Sequence, residues 1–130
     1  MKLLRDGDFT KAWGGIASLQ FGLSIVWTEA RKRGFQVSDV SRWMSTNPAK
    51  LVGLQKKKGA IASGYDADIV VWNPDESYVV EPSSIWHRHK VTPYEGQTLC
   101  GKVHATFVRG KKVFDEGTFS TQTGEVLLRN

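Results

Sequence analysis

Three histidines and one cysteine are the side chains of this sequence best suited to bind a metal. His87 and His89 lie two positions apart, so they would share one face of an extended strand. Cys100 and His104 follow them and would complete a set of four ligands. The spacing matches no common zinc pattern, however, because the sequence has no Cys-x-x-Cys pair and no His-x-x-x-His pair. These residues therefore favour polar loop histidines over a metal site.

The other groups that could do chemistry are the cysteine, two aspartates and a run of lysines. No obvious base lies beside Cys100 in the sequence, so we expect an inert thiol rather than a nucleophile. Asp66 and Asp68 resemble the opening of a calcium loop, but apolar residues 69–71 stand where that loop needs oxygen ligands. We expect a tight turn in which both aspartates accept hydrogen bonds from local backbone amides. The candidates for a nucleic-acid face are lysines 56–58, with Lys102, Arg109, Lys111 and Lys112. Acidic residues are interleaved with basic ones throughout the chain, which favours a solvated surface instead.

The composition is typical of one globular domain. Of the 130 residues, 40% are hydrophobic, and the formal net charge is +5. The single cysteine excludes a disulfide within the chain and is typical of a reducing compartment. No apolar run reaches the roughly 18 residues of a membrane span, and residues 1–8 do not form a secretory signal. We therefore expect a cytoplasmic protein without nucleic-acid or membrane partners, with peroxisomal and mitochondrial locations left open.

The first third of the sequence has the periodicity of helices. Apolar residues recur at spacings of three and four along one helix face, at Ile16, Leu19, Leu23, Val26 and Ala30. Gly34 suits the C-terminal end of this first helix. Ser38 predicts the N-cap of a second helix, and Asn47 followed by Pro48 predicts a third helix over residues 48–54. These helices have broad apolar faces and no strand beside them, which indicates a piece of something larger.

Beyond the lysine run the pattern changes to strands and turns. A nearly all-apolar run over residues 69–72 predicts a buried strand, and residues 78–80 predict another. Residues 102–108 have the character of a longer strand. Gly110 and Lys111 then predict a two-residue hairpin turn before a returning strand. The chain is therefore expected to place its helices first and its sheet second.

Several segments resemble a known enzyme family. Residues 47–54, followed by the glycines and aspartates of residues 58–72, resemble the C-terminal hallmark of the amidohydrolase superfamily. In that superfamily the chain leaves a (β/α)8 barrel at this point and enters a small β-domain. Residues 12–20, 89–96 and parts of 99–113 are similar to the allantoinase branch of the cyclic amidohydrolases, rather than to the dihydropyrimidinase, hydantoinase or dihydroorotase branches.

The resemblance implies an α/β fold in two parts. Residues 1–54 would be the last loop and the C-terminal helices of the barrel, and residues 55–130 would be part of a composite β-sandwich plus a C-terminal segment. A complete barrel takes about 250 residues, so we expect a C-terminal fragment whose missing partner is the N-terminal part of the barrel. The family's two zinc ions and its catalytic residues would belong to that missing part, and none is expected in this chain.

By resemblance, the contribution of this chain to an active site is the backbone of Gly14, Gly15 and Ile16. Together with Trp13 they would form the corner after the eighth barrel strand, on the face where barrel chemistry occurs. Their N–H and C=O groups could bond the amide edge of a cyclic substrate, and glycine permits a close approach. A helix entry that needs glycine for packing accounts for the same residues.

The reaction that the resemblance implies belongs to the longer parent enzyme. It is the zinc-dependent hydrolysis of allantoin, a cyclic ureide, to allantoate in purine catabolism. The parent is expected to be a homo-oligomer, and the fragment alone is expected to be inactive. Two alternatives stay open, which are a dihydropyrimidinase- or hydantoinase-type segment and a non-catalytic interaction module.

Overall fold

A computed structural model describes Thr10, residues 14–121 and residues 124–127. Three helices come first, at α1 Gly22–Lys32, α2 Val37–Ser41 and α3 Asn47–Leu51. An antiparallel sheet follows, in the order β1 Ile69–Val79, β2 Thr98–Val108, β3 Lys111–Asp115 and β4 Thr118–Phe119. The predicted order of helices before strands is confirmed. Within the described ranges, no helix is long and apolar enough to cross a membrane.

The first helix ends as its sequence predicts. Gly34 adopts a positive φ of 78°, and the Phe35 N–H donates to the Ala30 carbonyl oxygen at 3.1 Å. This is the Schellman pattern, in which a left-handed glycine lets the chain reverse and satisfy the last carbonyls.

The predicted apolar stripe of α1 is wrong at its first two positions. Ile16 is 65% exposed and Leu19 is 98% exposed. Both precede Gly22, where the α-helix begins, and Leu19 lies in a short 3-10 turn with a different period. The helical spacing therefore does not carry them onto the packed face.

The second helix begins earlier than predicted. Gln36 is its N-cap, and the Gln36 N–H donates to the Asp39 carboxylate at 2.9 Å. The prediction of Ser38 as the cap is wrong, because Ser38 lies inside the first turn. The carboxylate at the third helical position does the capping instead.

The second and third helices form one continuous helical run. A π-helical segment, Arg42–Thr46, joins α2 to α3, and Asn47 is itself helical with φ −67° and ψ −45°. The prediction of Asn47 as a cap is therefore wrong. The change of hydrogen-bond pattern falls next to Pro48, which has no N–H to donate. The helix ends at Leu51, not at residue 54.

The two strands predicted around residue 75 form a single strand, β1. It covers residues 69–79 and pairs with β2 in an antiparallel register that slips twice, once between Asn73 and Ser77. Pro74 lies in this irregular stretch. Because β1 is an edge strand of the sheet, it tolerates a residue that cannot donate to the ladder.

The hairpin turns require left-handed backbone at non-glycine residues. The β2–β3 turn is Arg109–Gly110, with φ of 48° and 78°, because Val108 pairs with Lys111. The prediction of Gly110–Lys111 is thus one residue too late. Glu116 and Gly117, with φ of 42° and 89°, form a second turn of this kind and lead into β4.

The core consists of two buried clusters between the helices and the sheet. The first contains Phe21, Val80, Ile85 and Leu99. The second contains Trp27, Ala30 and Val40, with Trp72 and Trp43 packed against it. Ile25 of α1 packs against the first cluster, and Trp27 and Ala30 of α1 belong to the second, so this helix attaches the helical part to the sheet.

A buried polar network reinforces the contact between α1 and β2. Ser24 Oγ donates to the Gly101 carbonyl oxygen at 2.6 Å and accepts from the Tyr78 hydroxyl at 3.0 Å. Thr28 Oγ1 accepts from the Cys100 N–H at 2.8 Å. Both hydroxyls are buried with partners, which removes the penalty of burying a polar group.

Gly101 makes this close approach possible. A Cβ at this position would lie 2.8 Å from the Trp72 ring and 2.9 Å from the Trp27 ring, and its φ is 88°. The two indoles meet edge to face with centroids 5.7 Å apart. Only glycine leaves room for that pair and adopts this backbone without strain.

Candidate functional site

The corner predicted to meet a substrate lies exposed at the start of the described chain. Gly14, Gly15 and Ile16 are all exposed, while Trp13 lies outside the described residues. A Cβ at Gly14 or Gly15 would meet no heavy atom of the described structure within 4 Å. Gly15 has a φ of 92°, which side chains rarely adopt. Glycine at position 15 therefore has a conformational reason, and packing within the described chain does not explain it.

Side chains from distant segments hold the residues that follow this corner. The buried Thr92 donates through Oγ1 to the Ala17 carbonyl oxygen at 2.6 Å. The Gln20 side chain binds twice: Nε2 donates to the Ser84 carbonyl oxygen at 2.6 Å, and Oε1 accepts from the Trp86 N–H at 2.8 Å. The segment after the corner is thus tied to the loop that connects β1 to β2.

The candidate metal ligands are not brought together. His87 Nε2 lies 3.4 Å from the Val91 carbonyl oxygen, and Cys100 Sγ lies 3.3 Å from Ser77 Oγ. In the part of the chain that the structure describes, no group of three or more His, Cys, Asp or Glu residues is placed to hold a metal. The described residues therefore do not fit a zinc site.

His104 has a different role, which its spacing did not reveal. Its Nε2 lies 2.8 Å from Glu76 Oε2, and its Nδ1 contacts the Glu116 carboxylate. The hydrogen bond to Glu116, and then that to Glu76, raises the pKa of His104 above its ordinary value. Hydrogen bonds from Lys102 and then from His104 lower the pKa of Glu76. This group ties β1, β2 and the β3–β4 turn together as a charged cluster.

The two aspartates bind a lysine and a distant amide. Lys58 Nζ lies 3.0 Å from Asp66 Oδ2 and also contacts Asp68. Asp68 Oδ1 accepts from the Arg109 N–H at 2.9 Å. The expectation of bonds to local amides is therefore wrong for these side chains. The hydrogen bond to Asp68 raises the pKa of Lys58, whose ammonium group pairs with both aspartates.

Residues 96–102 have a Gly-x-x-x-x-Gly-Lys spacing that phosphate loops share. Most of this run is the strand β2, and Lys102 Nζ lies 2.8 Å from Glu76 Oε1. Val103 also stands where a phosphate loop has serine or threonine. These residues do not form a phosphate-binding loop.

The sequence pattern of the amidohydrolase family matches residues 15–113. The chain belongs to the amidohydrolase family. It is 48% identical over 126 residues to the allantoinase of Streptomyces avermitilis, a match that covers 97% of this chain and 28% of that protein. It is 38% identical over 130 residues to the allantoinase of Saccharomyces cerevisiae, covering 98% of this chain and 27% of that protein. The resemblance to the allantoinase branch is confirmed.

Solved structures of amidohydrolases share this fold. A D-hydantoinase superposes with a TM-score of 0.80 at 30% identity over 86% of this chain and 24% of that chain. The L-hydantoinase of Arthrobacter aurescens superposes with a TM-score of 0.79 at 29% identity, over 87% of this chain and 25% of that chain. The predicted fold class, an α/β C-terminal piece of a (β/α)8 amidohydrolase barrel followed by part of a small β-sandwich domain, is confirmed. The chain spans less than a third of the length of the curated relatives it matches.

Proposed function

We propose that this amidohydrolase chain serves as one segment of an allantoinase, which hydrolyses allantoin to allantoate. The observation that carries the proposal is the 48% identity with the Streptomyces avermitilis allantoinase over 97% of the chain. The D-hydantoinase structure shares the fold at only 30% identity. Allantoin is therefore the better-supported substrate, and the hydantoinase or dihydropyrimidinase reaction is the second candidate.

The proposal divides the work between this chain and the rest of such an enzyme. Residues 1–54 would complete the barrel with its last loop and helices, and residues 55–130 would supply part of the β-sandwich and a C-terminal segment. The two zinc ions would be held outside this chain, because the described residues offer no metal site. The chain alone would therefore be inactive.

The contribution of this chain to the site would be the backbone at Gly14, Gly15 and Ile16. A ring amide presents one N–H donor beside one C=O acceptor, and an exposed backbone edge presents the complementary pair. A Cβ at either glycine would meet nothing in the described structure, so this chain itself leaves room for a flat ring to approach the peptide groups closely. The corner would orient the ring, and groups outside this chain would break its amide bond.

A chimaera tests the proposal. This chain replaces the matching segment of the Streptomyces avermitilis allantoinase, and the purified chimaera is assayed for allantoate. We expect hydrolysis of allantoin by the chimaera and none by this chain alone or by the Streptomyces protein without its segment. A folded, zinc-loaded chimaera that forms no allantoate would contradict the proposal.

A substrate panel on the same chimaera separates the two candidate reactions. We expect a higher kcat/KM for allantoin than for hydantoin or dihydrouracil. The reverse order would support the hydantoinase or dihydropyrimidinase reaction. Assembly without hydrolysis of any of the three would support a non-catalytic interaction module.

A further inference from the structure

An exposed backbone edge can recognise a ring only if its N–H and C=O groups keep a fixed direction. Gly14 and Gly15 oppose this, because glycine has more conformational freedom than any other residue. Binding a ligand to such a segment costs conformational entropy, unless the surrounding structure already holds the segment in one conformation. The residues immediately after the corner are therefore the place to look for a support.

Three attachments hold the segment after the corner. The first is the hydrogen bond from Thr92 to the Ala17 carbonyl oxygen at 2.6 Å. The second is the pair of hydrogen bonds that Gln20 makes with backbone groups of the distant loop. The third is Phe21, which is 2% exposed in the first core cluster. The chain is thus held at three of the first five residues after Ile16.

The loop that provides these attachments is itself anchored in the core. The Gln20 amide bonds to Ser84 and Trp86, the two residues that flank Ile85, and Ile85 is fully buried. Thr92 is also buried, at 7% exposure. Because this loop is packed in the core, its position is fixed, and the segment that is hydrogen-bonded to it is fixed as well.

We infer that Thr92 and Gln20 are positioning residues that set the direction of the Gly14–Ile16 backbone and therefore the KM for the ring substrate. This inference rests on the proposed function. In this inference both side chains act through the backbone that they hold: Thr92 holds the Ala17 carbonyl group, and Gln20 ties its own segment to the loop. They lie more than 60 residues apart in the sequence, so no local motif joins them.

Two substitutions at Thr92 in the chimaera test the inference. Thr92→Val removes the hydroxyl at nearly constant volume, and Thr92→Ser keeps it. We expect Thr92→Val to raise the KM for allantoin about fivefold, the effect of one lost hydrogen bond, with kcat within about a factor of two. Thr92→Ser should restore the KM. Gln20→Glu, which loses the Nε2 donor, should also raise the KM.

A matched control separates positioning from general loss of stability. Thr46 Oγ1 donates to the Gly59 carbonyl oxygen at 3.0 Å, far from the corner in sequence. Thr46→Val should lower stability without changing the KM. Hydrogen exchange should become faster in residues 15–19 of Thr92→Val only.

The outcomes distinguish this inference from the proposed function. An active chimaera whose KM and hydrogen exchange are unchanged by Thr92→Val would overturn the inference alone. So would a KM that Thr92→Ser fails to restore. A wild-type chimaera that hydrolyses no cyclic amide would overturn the proposed function, and this inference with it.

Discussion

Two regions of the molecule differ in how fully this chain packs around them. One is the contact between α1 and β2, and the other is the corner at residues 14–16. At the contact, two indole rings pack edge to face beside a glycine, and buried hydroxyl groups have hydrogen-bond partners. At the corner, the chain supplies a supported but exposed backbone edge. Both use a glycine with positive φ, yet a side chain would clash at Gly101 and meet nothing at Gly15. Gly101 therefore serves packing, whereas the proposed function assigns recognition to the corner that contains Gly15.

The largest effect is expected at the contact. Gly101→Ala would force a Cβ to within 2.8 Å of the Trp72 ring at a φ of 88°. Overpacking and backbone strain together should lower the free energy of unfolding by about 3 kcal/mol. Urea denaturation followed by tryptophan fluorescence measures this loss.

Gly124→Ala is the matched control for that measurement, because a Cβ there meets nothing within 4 Å. It should change the free energy of unfolding by less than about 0.5 kcal/mol. Equal effects of the two substitutions would show that the contact is not packed as described.

A smaller effect, and of a different kind, is expected at the corner. Gly15→Ala would strain the backbone at a φ of 92° without any clash. In the chimaera it should lower kcat/KM for allantoin about tenfold, because misdirected peptide groups no longer match the ring. The free energy of unfolding should fall by only about 1 kcal/mol, the cost of a left-handed non-glycine residue.

Steady-state kinetics and urea denaturation of the same protein check this prediction. If Gly15→Ala reduced stability as strongly as Gly101→Ala and left kcat/KM intact, the assigned roles of the two glycines would be reversed.

The smallest effect concerns the charged cluster around His104. The pKa of His104 is raised in the folded chain. The stability that His104 contributes is therefore fully present below its ordinary pKa of 6.5 and is lost as the pH rises through its pKa in the folded chain. The lowered pKa of Glu76 acts in the opposite sense, and its contribution is lost as the pH falls below 4.5. We expect stability to decline slightly above neutral pH.

Urea midpoints measured from pH 5 to pH 9 test this dependence. In His104→Gln, which keeps a polar side chain without the charge, the decline attributable to this residue should disappear. An identical pH profile in both proteins would show that the cluster does not contribute.

Local chemistry explains which features were predictable from the sequence. Gly34 ends α1 as expected, because its helix-stopping conformation depends on neighbours only. The sequence predicts the β2–β3 turn one residue too late, because the left-handed backbone of Arg109 depends on strand register and on Asp68, 41 residues away. The prediction of Ser38 as the N-cap is wrong because the cap is Gln36, whose N–H donates to the Asp39 carboxylate at the third helical position.

The candidate site shows the same limit. The family resemblance predicts that Gly14 and Gly15 belong to the candidate site. Their support could not be identified, because Thr92 lies 75 residues from Ala17 and Gln20 lies 66 residues from Trp86. The sequence offers His104 only as a weak candidate metal ligand, and spacing does not show that Glu76 and Glu116 lie at its two nitrogens.

The measurement that tests the central claim most directly is the rate of allantoate formation by the zinc-loaded chimaera, compared with the intact Streptomyces avermitilis allantoinase. We predict a kcat/KM for allantoin within about a hundredfold of the intact enzyme, since the segment is 48% identical and the proposed function assigns it orientation rather than chemistry. A chimaera that folds, binds zinc and gives no allantoate above the segment-deleted control would contradict the account.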